Sequence, residues 1–227
     1  MFFDAGETLV HPHPSFPELL TKVLNDEGHG VDADFVRERL WVVSERFLKA
    51  SQESELWSTS AERSRAFWSS IYETFLGELG IEWSEHLAER LYTTFTDISS
   101  YRLFPDALEA LHHLRDRGLQ LGLISNFEEW LERLLEALEV SRFFDVRVIS
   151  GIEGLEKPDT KIFEVALDRA GVAAGDSAYV GDNVHFDVEP AAEVGMHPVL
   201  IDRRGRYPDH DGVRITSLDE LPGALGL

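Results

Sequence analysis

Cysteine is absent from the 227 residues, which excludes thiol nucleophiles, cysteine-ligated zinc and disulfide stapling. Long apolar runs are absent too. No stretch approaches the ~18 residues that a membrane helix needs, and no charged segment leads into an apolar signal-like core. Positive charge is scarce: 21 Lys and Arg stand against 42 Asp and Glu, a net charge of −21. Phosphate backbones and anionic lipid repel so acidic a chain, so neither nucleic acid nor membrane is an expected partner. Most of the acid reads as a solvated surface that aids solubility, and the expected location is cytoplasmic. Lysine occurs only at Lys22, Lys49, Lys157 and Lys161, so a lysine inside a motif stands out. The remaining composition, 43% hydrophobic and 28% charged, argues against wholesale disorder. The length suits one or two domains with a full core.

Met1-Phe2-Phe3 is a short apolar run that stops at Asp4, and a loop with Pro12, Pro14 and Pro17 follows soon after. From Phe16 to about Ser99 the pattern is helical. Phe35, Val36, Leu40, Val43 and Phe47 recur at three- and four-residue steps, as do Phe67, Ile71, Phe75 and Leu79, then Leu87, Leu91, Tyr92 and Phe95. These stripes predict a bundle of about four helices, with the aromatics as core between helices rather than a ligand box.

After Pro105 short apolar strands alternate with helices. Helices are predicted at Asp106–Arg117, Phe127–Leu138, Pro158–Ala170 and Val188–Val194. Strands are predicted at Leu119–Ile124, Val146–Ser150, Ala178–Val180 and Pro198–Ile201, with a further short element near Ile215 before Leu218–Leu225. Such alternation gives an α/β fold, a parallel sheet covered on both faces. The boundaries are 1–15 and 100–227 for a Rossmann-like core, and 16–99 for an inserted helical cap. Only three residues precede Asp4 in what should be a central strand, against ~5–6 in a typical one. Strand one is therefore expected either to be shortened or to begin before Met1.

Ligands of open parallel sheets bind beyond the carboxyl ends of the strands, and polar residues of unlike kinds gather there. Strand one ends in Asp4. Leu119–Ile124 leads into Ser125-Asn126, the segment after Ser150 leads to Lys157-Pro158, and Ala178–Val180 ends in Gly181-Asp182-Asn183, with Asp187 five residues beyond Asp182. Singly, each has an ordinary structural explanation: a helix N-cap, a Pro-led helix start, a turn. Together, in this order, they resemble the four motifs of the haloacid dehalogenase superfamily of hydrolases, in its branch with a helical cap. Ile124-Ser125-Asn126, Lys157-Pro158-Asp159 followed by Ile162-Phe163, and Val180-Gly181-Asp182 with Ala192 and Gly195-Met196 are specific local matches, and the likeness covers nearly the whole chain.

The resemblance implies a phosphatase in which Asp4 attacks phosphorus and forms an aspartyl-phosphate, splitting hydrolysis into two easier steps. Mg²⁺ would be held by Asp4, Asp182, Asp187 and the backbone carbonyl of Gly6, a hard cation among oxygen ligands. Ser125, Asn126 and Lys157 would bind the phosphate of a small phosphorylated substrate, helped by N–H groups opening the helix after Ser125. Lys157 would also pair with Asp4. A cation placed just before a helix N-terminus opposes the macrodipole, so another partner is expected for it.

The pattern departs from the family at one place. Phosphatases of this kind carry a second Asp two residues after the nucleophile, whereas this chain has Gly6, then Glu7 and Thr8. General acid–base help from such a group is worth ~10²–10⁴ in rate. Three alternatives follow: a slow or narrow phosphatase favouring acyl or aryl phosphates, a non-catalytic phosphate- and metal-binding protein, or another reaction of the family. A 2-haloacid dehalogenase also lacks that Asp but uses no metal, which sits poorly with Asp182 and Asp187. A phosphonatase would need a cap lysine, for which Lys22 and Lys49 are the candidates. Glu7 is the one nearby carboxylate that could replace the missing acid. His11 and His13 have a spacing that could ligate a metal but are read as unligated loop residues. His185 is equally placed to touch substrate or solvent. The cap arginines Arg37, Arg39, Arg46, Arg63 and Arg65 are read chiefly as partners of neighbouring Glu. Substrate identity and oligomeric state are not written in the sequence.

Overall fold

A computed structural model describes residues 1–227. Six strands form one parallel sheet: β1 (Phe2–Phe3), β4 (Gly122–Ser125), β5 (Val146–Ile149), β6 (Ala178–Gly181), β7 (His197–Ile201) and β8 (Arg214–Ile215). Their order is β5-β4-β1-β6-β7-β8. A separate antiparallel pair joins β2 (Val10–Pro12) to β3 (Tyr101–Leu103). The chain leaves and re-enters the sheet through this pair, which the proline-rich sequence did not announce.

The first strand is two residues long and lies in the centre of the sheet. It is flanked on both sides, Phe2 and Phe3 pairing with Gly122 and Leu123 on one edge and with Tyr179 and Val180 on the other. Met1 O accepts from Gly122 N and Asp4 N donates to Val180 O, both at 2.9 Å, extending the ladder past the strand itself. Successive side chains of a strand point to opposite faces. Phe3 enters the core beneath α6 (Ala107–Asp116) and α7 (Leu131–Ala137), and Phe2 enters the core beneath α9 (Lys161–Ala170) and α10 (Glu189–Glu193). Two fully buried Phe contribute up to roughly 3–6 kcal/mol, enough to hold so brief a strand in register.

Residues 16–96 supply α1 (Phe16–Asp26), α2 (Ala33–Arg37), α3 (Trp41–Gln52), α4 (Ala61–Glu78) and α5 (Glu85–Thr96). These are four long helices and one short one, because the stripe from Phe35 to Phe47 is broken by a turn at 38–40. Ser15, Ser60 and Ser84 cap α1, α4 and α5, each accepting an orphan N–H of the first turn. Phe67, Ile71, Phe75, Leu87, Leu91, Tyr92 and Phe95 are all buried together, as their periodicity predicts. This core contains no residue from the six-stranded sheet.

Later boundaries shift where local hydrogen bonding competes. α8 (Ser150–Glu153) begins where the strand was expected to end, and α11 (Leu221–Leu225) closes the chain. α7 opens at Leu131 and α9 at Lys161, several residues after the predicted starts. Val184–Val188 forms one turn of π-helix before α10. Both sheet faces are covered, and β1 is the point from which the chain moves outward to either side. Ligands of such sheets bind at that switch point.

Candidate active site

Asp4 follows β1 with 6% of its surface exposed. Its Oδ1 accepts from Ser125 Oγ at 2.9 Å and from Lys157 Nζ at 2.8 Å. Burial pushes its carboxyl above the usual range, and the charge of Asp187 adds to this, while Lys157 and Ser125 pull it back. Ser125 ends the neighbouring strand β4, so adjacent parallel strands deliver donor and acceptor side by side.

Lys157 is 3% exposed and reaches Asp187 Oδ1 at 2.6 Å as well as Asp4. Burial disfavours its charge, but Asp187 and Asp4 more than offset this and raise its pKa. Because α9 starts only at Lys161, Lys157 does not sit against a helix N-terminus as the sequence suggested. Of its two carboxylate partners, Asp4 is the one the sequence suggested and Asp187 is not.

Asp182 and Asp187 come from the end of β6 and the π turn after it. Asp187 Oδ2 accepts from Asn183 N at 3.0 Å. Gly181 makes the approach possible: a Cβ there would lie 2.4 Å from Asp187 Cγ. Any side chain at 181 would push the carboxylate off the strand. One oxygen each of Asp4, Asp182 and Asp187 fall within 4.8 Å of one another, the one such cluster in the chain. Burial, and then the charge of Asp187, drive the Asp182 carboxyl up to about 7, although the Arg206 guanidinium at 2.6 Å works against the shift. Three carboxylates thus face two cations, Lys157 and Arg206. The excess negative charge and the all-oxygen donor set fit a hard divalent cation.

Asn126 reaches the same place with a different use of its side chain. Its Nδ2 donates to Lys157 O at 2.8 Å and its Oδ1 accepts from Lys157 N at 2.7 Å, so the amide clamps the Lys157 backbone. The helix after Ser125 begins six residues on, leaving residues 126–130 as a turn beside the site. Gly6 lies two residues past Asp4, where a Cβ would meet only Phe127 Cε2, at 3.8 Å. Glu7 adopts φ +56°, the left-handed region that disfavours a β-carbon, and its carboxylate is held by Arg204 at 2.6 Å.

The lesser candidates lie elsewhere. His11 packs on Phe104 and its Nδ1 contacts Pro12 O, with no acidic group completing a metal site at His11 and His13. His185 meets Ser51 Oγ of α3 at 2.5 Å and Glu189 at 3.1 Å. Arg37, Arg39, Arg46, Arg63 and Arg65 bond within the helical segment, to Glu18, Phe35 O, Glu55, Leu56 O and Glu89 among others.

Four residues at or beside the site are not marked by the sequence pattern. Arg206 lies on the loop after β7, where nothing in its neighbours' spacing marks it. Glu156, beside Lys157, accepts from Trp57 N at 3.1 Å, Ser58 N at 2.8 Å and Ser58 Oγ at 2.6 Å. It thereby grips the loop between α3 and α4, and Glu128 similarly accepts from Tyr92 OH of α5 at 2.9 Å. Tyr179 lies under the site with its hydroxyl 3.0 Å from Lys157 Nζ. A signal for it existed: residues i and i+2 of a strand share a face, so Tyr179 lies on the Gly181 side, against which Asp187 packs.

The haloacid dehalogenase-like hydrolase family model matches residues 1–195. The chain belongs to this family. Among curated relatives of this hydrolase, haloacid dehalogenase-like hydrolase domain-containing protein 3 of Bos taurus is 33% identical over 205 residues, covering 88% of the chain and 80% of the relative. Relatives of that name from other vertebrates are matched over 46–70% of their length. The glyceraldehyde 3-phosphate phosphatase of Methanocaldococcus jannaschii is 36% identical over 132 residues, 55% of the chain and 57% of that enzyme. The hydrolase also superposes on the crystal structure of a HAD phosphatase from Thermococcus onnurineus. The TM-score is 0.62 at 25% identity, covering 99% of this chain and 96% of that one. No helix is long and apolar enough to cross a membrane.

Proposed function

We propose that this hydrolase is a Mg²⁺-dependent cytoplasmic phosphatase of small phosphorylated metabolites, working through an aspartyl-phosphate on Asp4. The observation that carries the reading is a buried carboxylate, Asp4, held by Ser125 and Lys157 while two further carboxylates, Asp182 and Asp187, converge on it. The glyceraldehyde 3-phosphate phosphatase among the relatives supports the same reading. Asp4, Asp182, Asp187 and the Gly6 carbonyl would hold Mg²⁺, which when bound neutralises carboxylate and phosphoryl oxygens so that two anions can meet. Ser125 and Lys157 hold Asp4 through Oδ1, and a carboxylate oxygen of Asp4 is the attacking atom. It forms a bond to phosphorus as the ester P–O bond breaks, and water then releases phosphate from Asp4.

Ser125 and Lys157 keep Asp4 oriented, and Asn126 keeps Lys157 in place through its backbone. Residues 1–15 and 100–227 act as the core, and 16–99 act as a cap fastened over the strand ends by Glu156 and Glu128. With glycine at position 6 and the Glu7 carboxylate held by Arg204, neither position offers an acid to the leaving oxygen. Acyl and aryl phosphates are therefore the preferred substrates, since their leaving groups need little protonation. A dehalogenase uses no metal, and the convergence of Asp182 and Asp187 on Asp4 speaks against that reading.

A panel of phosphorylated metabolites, with acyl and aryl phosphates included, tests this with and without Mg²⁺. Turnover that requires Mg²⁺ and vanishes in Asp4→Asn is expected. Metal-stabilised protein with no turnover on any member would favour a binding protein instead.

A further inference from the structure

Tyr179 is 1% exposed, and its ring packs edge-on against Phe163 at 5.0 Å. Its hydroxyl oxygen has three polar neighbours: Lys157 Nζ at 3.0 Å, Asp187 Oδ1 at 2.9 Å and Ile124 O at 3.0 Å. An ammonium can only donate, whereas a phenol has one proton and two acceptor positions. Lys157 therefore donates to Tyr179, and the phenol proton goes to Asp187 or to the Ile124 carbonyl at the end of β4. Seen from Lys157, the three ammonium protons meet three acceptors, Asp4 Oδ1, Asp187 Oδ1 and Tyr179 OH.

We propose that Tyr179 is a positioning residue of the active site. By taking the third proton of Lys157 it completes a tripod that fixes the nitrogen between Asp4 and Asp187, and so keeps Asp4 oriented. The catalytic consequence rests on the phosphatase reading of Asp4, whereas the tripod itself does not. Without the hydroxyl, one buried N–H loses its acceptor, and the side chain becomes free to turn toward water or substrate.

Tyr179→Phe tests the proposal, because it removes one oxygen and keeps the ring against Phe163. The first readout is the side-chain ¹H–¹⁵N spectrum of ¹⁵N-lysine-labelled protein. Lys22, Lys49 and Lys161 are exposed, so their ammonium protons exchange rapidly with water. Lys157 should give the one persistent signal, assigned by its loss in Lys157→Arg. In Tyr179→Phe this signal should exchange at least ~10-fold faster or disappear. The second readout is p-nitrophenyl phosphate hydrolysis with Mg²⁺, where kcat should fall between about 10- and 100-fold with KM unchanged, since misorientation costs rate more than binding. Unchanged ammonium exchange in Tyr179→Phe would overturn the tripod, and faster exchange with an unchanged kcat would overturn the positioning role. A parent enzyme without turnover would count against the phosphatase reading, and the exchange experiment would then decide the tripod alone.

Discussion

Glu156 lends itself to a quantitative test, because one buried side chain ties the helical segment to the sheet beside Lys157. It is 4% exposed, and Trp57 and Ser58 opposite it are also buried. Truncation in Glu156→Ala strands two backbone N–H groups, each costing ~1–3 kcal/mol if left unpaired, while the Ser58 hydroxyl keeps Ser150 Oγ at 2.7 Å. The 57–58 loop can turn part of that exposure toward water, so a loss of about 2–4 kcal/mol is expected from urea unfolding. Glu156→Gln keeps an oxygen for Ser58 but presents an NH₂ to Trp57 N, and should cost ~1.5–3 kcal/mol, as for a lost charge-assisted bond. Hydrogen exchange of the Trp57 and Ser58 amides should accelerate in both variants, while that of β4 and β5 should not.

The pH dependence carries a sign as well. Burial raises the Glu156 carboxyl above its ordinary value, against the donors of Ser58 and Trp57. The folded state therefore binds more protons than the unfolded state between those two values, and this contribution to stability falls as pH rises through that window. Glu156→Gln should flatten that part of the curve. A loss under ~0.5 kcal/mol in Glu156→Ala, the scale of an ordinary surface change, with unaltered amide exchange would refute the clamp.

Mg²⁺ should raise the melting temperature of the parent by mass action but not that of Asp182→Ala, read by differential scanning fluorimetry. With the Asp182 carboxyl near 7, protons compete for the site, so the stabilisation should weaken as pH falls below about 7. Gly6→Asp introduces a Cβ whose nearest contact is an ordinary 3.8 Å, and should raise kcat on alkyl phosphates by about 10²–10⁴ while changing acyl phosphate turnover far less. Equal effects on both substrates would argue against a missing acid. Gly181→Ala forces a Cβ onto Asp187 and should abolish the Mg²⁺-dependent shift in melting temperature, whereas an intact shift would mean that Asp187 is not a ligand.

The order of Asp4, Ser125, Lys157, Asp182 and Asp187 along the chain was enough to read the family. The reason is that each is fixed locally: a carboxylate where an apolar run stops, a glycine before an acid, a lysine before a proline. Helical periodicity in residues 16–96 was legible for the same reason, since the 3.6-residue repeat follows from burying one face. Helix starts at Leu131 and Lys161 were not legible, because the turns before them are held by distant partners, Asn126 on the Lys157 backbone and Ser150 on Phe127. The antiparallel β2–β3 pair joins Val10 to Leu103, a pairing that no local pattern encodes. The same limit applies to the site. Its charged residues announce themselves by type, but what fills the space between them is settled by approach in three dimensions. Tyr179 reaches Lys157 across the sheet floor, Arg206 reaches Asp182 from a loop, and Glu156 grips a loop that lies about a hundred positions earlier in the chain. Chemistry was carried by residues in sequence; orientation, pairing and closure were decided by tertiary packing, because hydrogen-bond geometry depends on distances that sequence separation does not set.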